Sequence, residues 1–149
     1  MIFIIVPAIL VLDRLTKLFF VQSLAAGASI PVIKGFFHFT LVYNRGAAFG
    51  VLKNQIPFFI LTSVIAIFII LFHLRKSPAI EKAALGFILA GAVGNLIDRI
   101  FLGYVIDFLD FHVAPFFYWP VFNIADSAIT IGACMLGWLL LRSAISSKK

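Results

Sequence analysis

The sequence predicts an α-helical integral membrane protein, with four transmembrane helices and a small outer-surface β-cradle built from two long loops. Three observations predict it: four apolar runs of spanning length, an uneven spread of basic residues between the loops, and alternating aromatic stretches within the long loops. Of the 149 residues, 63% are hydrophobic and only 12% charged, more apolar surface than a soluble core of this size can hide. A single membrane-embedded domain over 1–149 is expected.

The apolar runs cover about 2–21, 57–74, 83–101 and 125–141. Each is close to the roughly 20 residues that cross a ~30 Å hydrocarbon core. The first could be mistaken for a signal peptide, but no basic segment precedes it and Asp13, Arg14 and Lys17 interrupt it, so it reads as a retained helix. Four spans place both termini on one side. Arg75, Lys76 and Lys82 crowd the short connection 75–82, and Arg142, Lys148 and Lys149 follow the last run, whereas Lys34, Arg45 and Lys53 are spread over 22–56. Positive charge is retained in the cytoplasm, so both termini and the 75–82 connection are expected inside, and the loops 22–56 and 102–124 outside. In the first of these, Phe37, Phe39, Leu41 and Tyr43 alternate with His38, Thr40 and Val42; Tyr104–Phe111 and Phe117–Phe122 are likewise rich in aromatic and β-branched residues. These stretches predict the sheet.

Several function classes drop out. The net charge of +6 follows membrane topology and forms no basic stripe with interleaved aromatics, so nucleic acid is not an expected partner. One cysteine, Cys134, allows no internal disulfide and reads as a small helix residue. The H-E-x-x-H zinc pattern, the Walker phosphate loop and the G-x-S-x-G elbow are missing, and His38, His73 and His112 lie far apart in sequence. No metal or cofactor is expected.

The chain has six acids: Asp13, Glu81, Asp98, Asp107, Asp110 and Asp126. Ionisable groups in or beside spans are costly and become functional candidates. With the topology above, Asp13 and Lys17 lie in the outer half of helix 1, roughly 18–24 Å along it. Asn95, Asp98 and Arg99 come near the outer end of helix 3, Asn123 and Asp126 at the outer start of helix 4, and Asp107 between them. Four segments therefore deliver polar groups to one level. Structural readings stand beside the functional ones. Asp13 and Lys17 are an i,i+4 ion pair, Asp98 and Arg99 a possible pair at a helix end, Gly86, Ala90 and Gly94 a packing face, and Asp126 an acid favouring a helix N-terminus. What the residues leave open is carboxylate chemistry, in which two nearby carboxyls share a proton and divide acid and base roles. Glu81 lies on the wrong side, and Asp107 and Asp110 point to opposite faces of one strand. Asp107 with Asp126 is the best pair, Asp98 is third, and spacing does not decide between them. A four-span transporter using an intramembrane acid as proton relay is the alternative, and a purely structural subunit a third reading.

Five motifs carry a resemblance: Leu12–Lys17, Asn44–Phe49, Gly94–Arg99, Gly103–Phe108 and Phe122–Ala128. In this order on four spans they resemble the lipoprotein signal peptidase (signal peptidase II) family across nearly the whole chain. The resemblance implies an aspartyl endopeptidase of the bacterial inner membrane. It would remove signal peptides from diacylglyceryl-modified prolipoproteins, cutting before the lipid-bearing cysteine near the outer leaflet. It implies Asp107 and Asp126 as catalytic, Asn44, Asn95, Arg99 and Asn123 around the bound peptide, and Asp13 and Lys17 as a polar pair on helix 1; Asp98 is expected beside them as a structural polar group. Prolipoprotein and membrane lipid are the expected partners of a monomer.

Overall fold

A computed structural model describes residues 1–46, 52–113 and 116–146. Within these the chain runs α1 (Ile2–Ser23), β1 (Ser29–Ile33), β2 (Phe37–Asn44), α2 (Ile56–Leu74), α3 (Ala79–Leu102), β3 (Val105–Val113), β4 (Phe117–Tyr118) and α4 (Ile124–Ser146). Ala47, Ala48 and Phe49 of the second motif, and the terminal Lys148 and Lys149, lie outside the described residues.

α2, α3 and α4 are long and apolar enough to cross a membrane. α2 makes the need for lipid plain: it buries only Ile70 and exposes Phe58, Leu61, Ile65, Phe68 and Phe72. Water does not tolerate such a face, while hydrocarbon costs it nothing. α1 is of similar length but carries Asp13, Arg14 and Lys17 in its second half. α3 begins four residues earlier than the apolar run predicts. Pro78 precedes its first turn, and Ala79, Glu81 and Lys82 are helix formers, so residues assigned to the connection extend the helix instead.

α3 is the central helix, packed against α1, α2 and α4. Its approach to α4 is close enough to require glycine on both sides. A methyl group at Gly91 would collide with the Ala125 carbonyl oxygen, and one at Gly132 would lie 2.5 Å from that of Ala84. The Gly86–Ala90–Gly94 face does pack, toward α1: a methyl at Gly86 would meet Ile2 at 3.0 Å, and one at Gly94 would meet the Asp13 carboxylate at 2.9 Å. The stripe is a packing surface, though the closest contact falls on Gly91 beside it.

The sheet is antiparallel in the order β1–β2–β3–β4. Phe39 pairs with Leu109 but Val42 with Asp107, so β2 contains one extra residue between them. This bulge interrupts the strict alternation expected over 37–43 and turns the rest of β2 by one side-chain position. In consequence Asn44, opposite Val105, shares a face with Asp107. The sheet is fastened to α1 by Phe20, whose ring stacks on Phe108 at 4.4 Å and forms a buried cluster with Leu41, Ile106 and Phe108.

Candidate active site

Two chain reversals bring the polar groups of the motifs together. The first is at the end of α3. Gly103 adopts φ 75°, a left-handed conformation that glycine takes without strain, and its N–H caps the Arg99 carbonyl at 3.2 Å. Four residues later β3 presents Asp107, only 2% exposed. The second is the start of α4. The side-chain oxygen of Asn123 accepts the Asp126 N–H at 2.9 Å, and Oδ2 of Asp126 accepts the Asn123 N–H at 3.3 Å. This is a reciprocal capping box, written in the sequence as Asn-x-x-Asp. The expected helix-start role of Asp126 is therefore present, and it fixes the carboxylate's orientation.

The two carboxylates are tied through Asn123. Its amide nitrogen donates to Asp107 Oδ1 at 2.7 Å, and lies within 3.2 Å of the Asn95 side-chain oxygen and the Ile106 carbonyl. Asn44 donates to the other Asp107 oxygen at 3.0 Å, and Asn95 donates to Asp126 Oδ1 at 2.7 Å. Each of the four carboxylate oxygens thus receives one N–H from an amide. Neither carboxylate forms an ion pair within 4.0 Å among the described residues. Burial, and then the neighbouring charge of Asp126, push the Asp107 carboxyl up to about 7, against the opposing pull of the Asn44 and Asn123 donors and of Lys17.

Both aspartates line a cavity of about 500 Å³, together with Asn44, Asn95, Arg99 and Trp119. Arg99 reaches it from α3 with its guanidinium 5.1 Å from the Phe59 ring centre, and its Nε is buried without a hydrogen-bond partner among the described residues. Gly46 of the Asn44–Phe49 motif also lines the cavity, as do Trp119 and Thr130, which lie outside the motifs. The aromatic density of 117–122 was the only available signal for Trp119.

Asp98 belongs to a different cluster. Lys17, fully buried, bridges Asp13 and Asp98 at 2.8 Å each, and Arg14 contacts the second Asp98 oxygen at 3.2 Å. The Asp13–Lys17 pair is as expected. The Asp98–Arg99 pair is not: Asp98 faces α1, and Arg99, one residue on, faces the cavity. Asp98 also accepts the Ile106 N–H at 3.3 Å, and Asp13 accepts the Ala125 N–H at 3.0 Å, so this cluster anchors the chain beside each aspartate of the cavity. Lys17 joins the two clusters by donating to the Asn95 oxygen at 3.2 Å. Asp110, on the opposite face of β3, bonds Thr40 and His112 instead.

A family model described as signal peptidase (SPase) II matches residues 5–142. The chain is 46% identical over 140 residues to the lipoprotein signal peptidase of Caldanaerobacter subterraneus, covering 93% of this chain and 94% of that one. It is also 46% identical over 150 residues to that of Brevibacillus brevis, covering 99% and 97%. A solved bacterial membrane enzyme, determined by the in meso method at 2.3 Å, superposes with a TM-score of 0.91 at 32% identity, over 99% of this chain and 91% of that one.

Proposed function

The chain belongs to the signal peptidase II family, and from that premise we propose that it is an aspartyl endopeptidase of the bacterial inner membrane. It removes the signal peptide from diacylglyceryl-modified prolipoproteins, cutting before the lipid-modified cysteine with water activated between Asp107 and Asp126. The observation that carries this reading is Asn123, which holds both carboxylates against one cavity.

The chemistry follows from the environment of the pair. Two carboxylates linked through one asparagine and lining one cavity share a proton more readily than they ionise together. Asp107, pushed up to about 7, is suited to keep that proton near neutral pH. Asp126 then takes a proton from water, which attacks the peptide carbonyl while Asp107 donates to the carbonyl oxygen. The proton gained by Asp126 passes to the leaving amine as the C–N bond breaks, and Asp107 takes back its proton from a hydroxyl of the tetrahedral intermediate as the new carboxyl C=O forms. Arg99, facing the cavity with its buried Nε unpartnered among the described residues, supplies donors for the substrate backbone, as do Asn44 and Asn95 in their remaining capacity.

In the membrane, all four helices span as one peptidase domain over 1–149, acting as a monomer. Both termini are cytoplasmic and the sheet lies on the outer surface. The dyad stands where α3 ends and α4 begins, the depth at which a lipid-anchored cysteine meets water. α1 spans despite its charges because Lys17 and Arg14 neutralise Asp13 and Asp98. Membership of a peptidase family leaves the transporter reading without support.

The test is processing of a diacylglyceryl-modified prolipoprotein by purified protein in lipid nanodiscs. Asp107→Asn and Asp126→Asn should each lower the rate at least about 10³-fold. Release of the signal peptide by both variants at the wild-type rate refutes the dyad. Equal cutting of substrate lacking the diacylglyceryl group refutes the lipid in the recognition scheme.

A further inference from the structure

The histidines that lie far apart in sequence do not all stay apart in the fold. The β2–β3 register sets His38 opposite Asp110, and His112, two residues along β3, shares that face. One donor atom from each of the three lies within 4.8 Å of the others. We propose that His38, Asp110 and His112 form a binding site for a divalent transition metal, with Zn²⁺ the best fit. The site lies on the sheet face opposite Asp107 and is independent of the peptidase chemistry.

Three features support a built site. His112 Nδ1 and Asp110 Oδ1 are already 2.9 Å apart. Two ligands on one tetrahedral zinc, with bonds of about 2.1 Å, stand roughly 3.4 Å apart, so an ion can replace the shared proton with little movement. The second Asp110 oxygen accepts from the Thr40 hydroxyl at 2.6 Å, which in turn contacts Ser29 Oγ at 2.8 Å. A ligating carboxylate is commonly held by such an outer hydrogen bond. Finally, His38 Nδ1 is buried with no hydrogen-bond partner among the described residues, a cost that a metal bond or a ring turn toward one would remove. The His38 and His112 rings stack at 4.3 Å and 12°, so one of them must rotate for both to ligate. Two imidazoles and one carboxylate suit zinc, copper or nickel and not calcium or magnesium, which prefer oxygen. Water completes the fourth position. Bound there, the ion would clip β2, which carries Asn44, to β3, which carries Asp107.

The test uses the full chain in nanodiscs, purified without a histidine tag and stripped with chelator. Isothermal titration with Zn²⁺ should give one saturable equivalent per chain, and Ca²⁺ and Mg²⁺ none. His38→Ala and His112→Ala should each weaken binding at least about 100-fold, and Asp110→Asn about 10–100-fold. His38→Gln and His112→Gln, closer in size, guard against a folding defect. Substitution by Co²⁺ should give the intense visible bands of a four-coordinate ion, lost in these variants, and Zn²⁺ should raise the melting temperature of the wild type alone. Absence of a saturable equivalent, or an equivalent that persists in both histidine variants, overturns the proposal.

Discussion

Replacing Asn123 separates its two jobs. Its oxygen caps α4 by accepting the Asp126 N–H, and its amide nitrogen donates to Asp107 at 2.7 Å. Asn123→Ala removes both. Loss of an N-cap costs about 1 kcal/mol. Loss of a donor to a buried carboxylate costs about 1.5–3 kcal/mol more, because Asp107 is 2% exposed and water cannot replace the bond. Asn123→Ser keeps a capping hydroxyl but is too short to reach Asp107. It should therefore recover roughly 1 kcal/mol of the stability lost in the alanine variant while recovering little activity. If the missing bond is expressed fully in the transition state, kcat falls about 10–150-fold in both variants. The Asn123 donor also opposes the upward push on Asp107. Its removal should move the pH–rate limb belonging to the pair upward, by about one unit or more. The assays are thermal unfolding in one fixed lipid nanodisc and a pH series of prolipoprotein cleavage. A serine variant with wild-type kcat and an unmoved pH profile would refute the bridging role.

Lys17→Met should be among the most damaging single changes away from the cavity, since it leaves Asp13 and Asp98 buried without their shared cation. About 3–5 kcal/mol is at stake, and Lys17→Met with Asp98→Asn should regain part of it in the same unfolding assay. Gly91→Ala should lower the melting temperature by the equivalent of about 1–3 kcal/mol, because the new methyl meets a backbone oxygen that no rotamer can move. Asp107 sets a pH dependence whose sign is fixed. Its pKa rises from 3.8 to about 7 on folding, so between these values the folded chain holds a proton that the unfolded chain has lost. Stability should fall with rising pH across that window by up to about 1.4 kcal/mol per unit and level off above it. Asp107→Asn should flatten the slope in melts recorded from pH 4 to 8, and an unchanged slope would rule out Asp107 as its source.

The apolar runs were legible because hydrocarbon imposes a length and a composition that few other environments require. The apolar run does not show where α3 starts, because Glu81 and Lys82 carry charge yet favour helix, and Pro78 marks where the helix begins. β1 is hard to read for a physical reason: it is a fully exposed five-residue edge strand interrupted by Pro31, so its β-branched Ile30, Val32 and Ile33 show no alternating burial pattern. The bulge between Phe39 and Val42 is a register event, and no periodicity within β2 alone reveals it. Asp98 stayed a competitor of Asp107 because sequence spacing cannot show that Lys17 and Arg14 occupy its oxygens. The Asn123–Asp126 capping box, by contrast, is legible as a four-residue Asn-x-x-Asp signature at the start of an apolar run.

That capping box belongs to a wider pattern which explains why three asparagines surround the carboxylates. An asparagine beside an acid helps only if its nitrogen faces the acid, and a free amide can turn either way. Each of the three is prevented from turning. The Asn44 oxygen accepts the Gly46 N–H at 2.9 Å, the Asn123 oxygen accepts the Asp126 N–H, and the Asn95 oxygen takes both the Lys17 ammonium and the Asn123 amide. With each oxygen committed, every nitrogen is left to face Asp107 or Asp126. The buried Lys17 cluster therefore reaches the cavity through Asn95 without placing a cation on either carboxylate. A lysine or arginine in direct contact would hold both aspartates ionised and leave no proton to share. Neutral donors fixed by the backbone and by a remote ammonium hold the carboxylates in place and let the pair keep its proton.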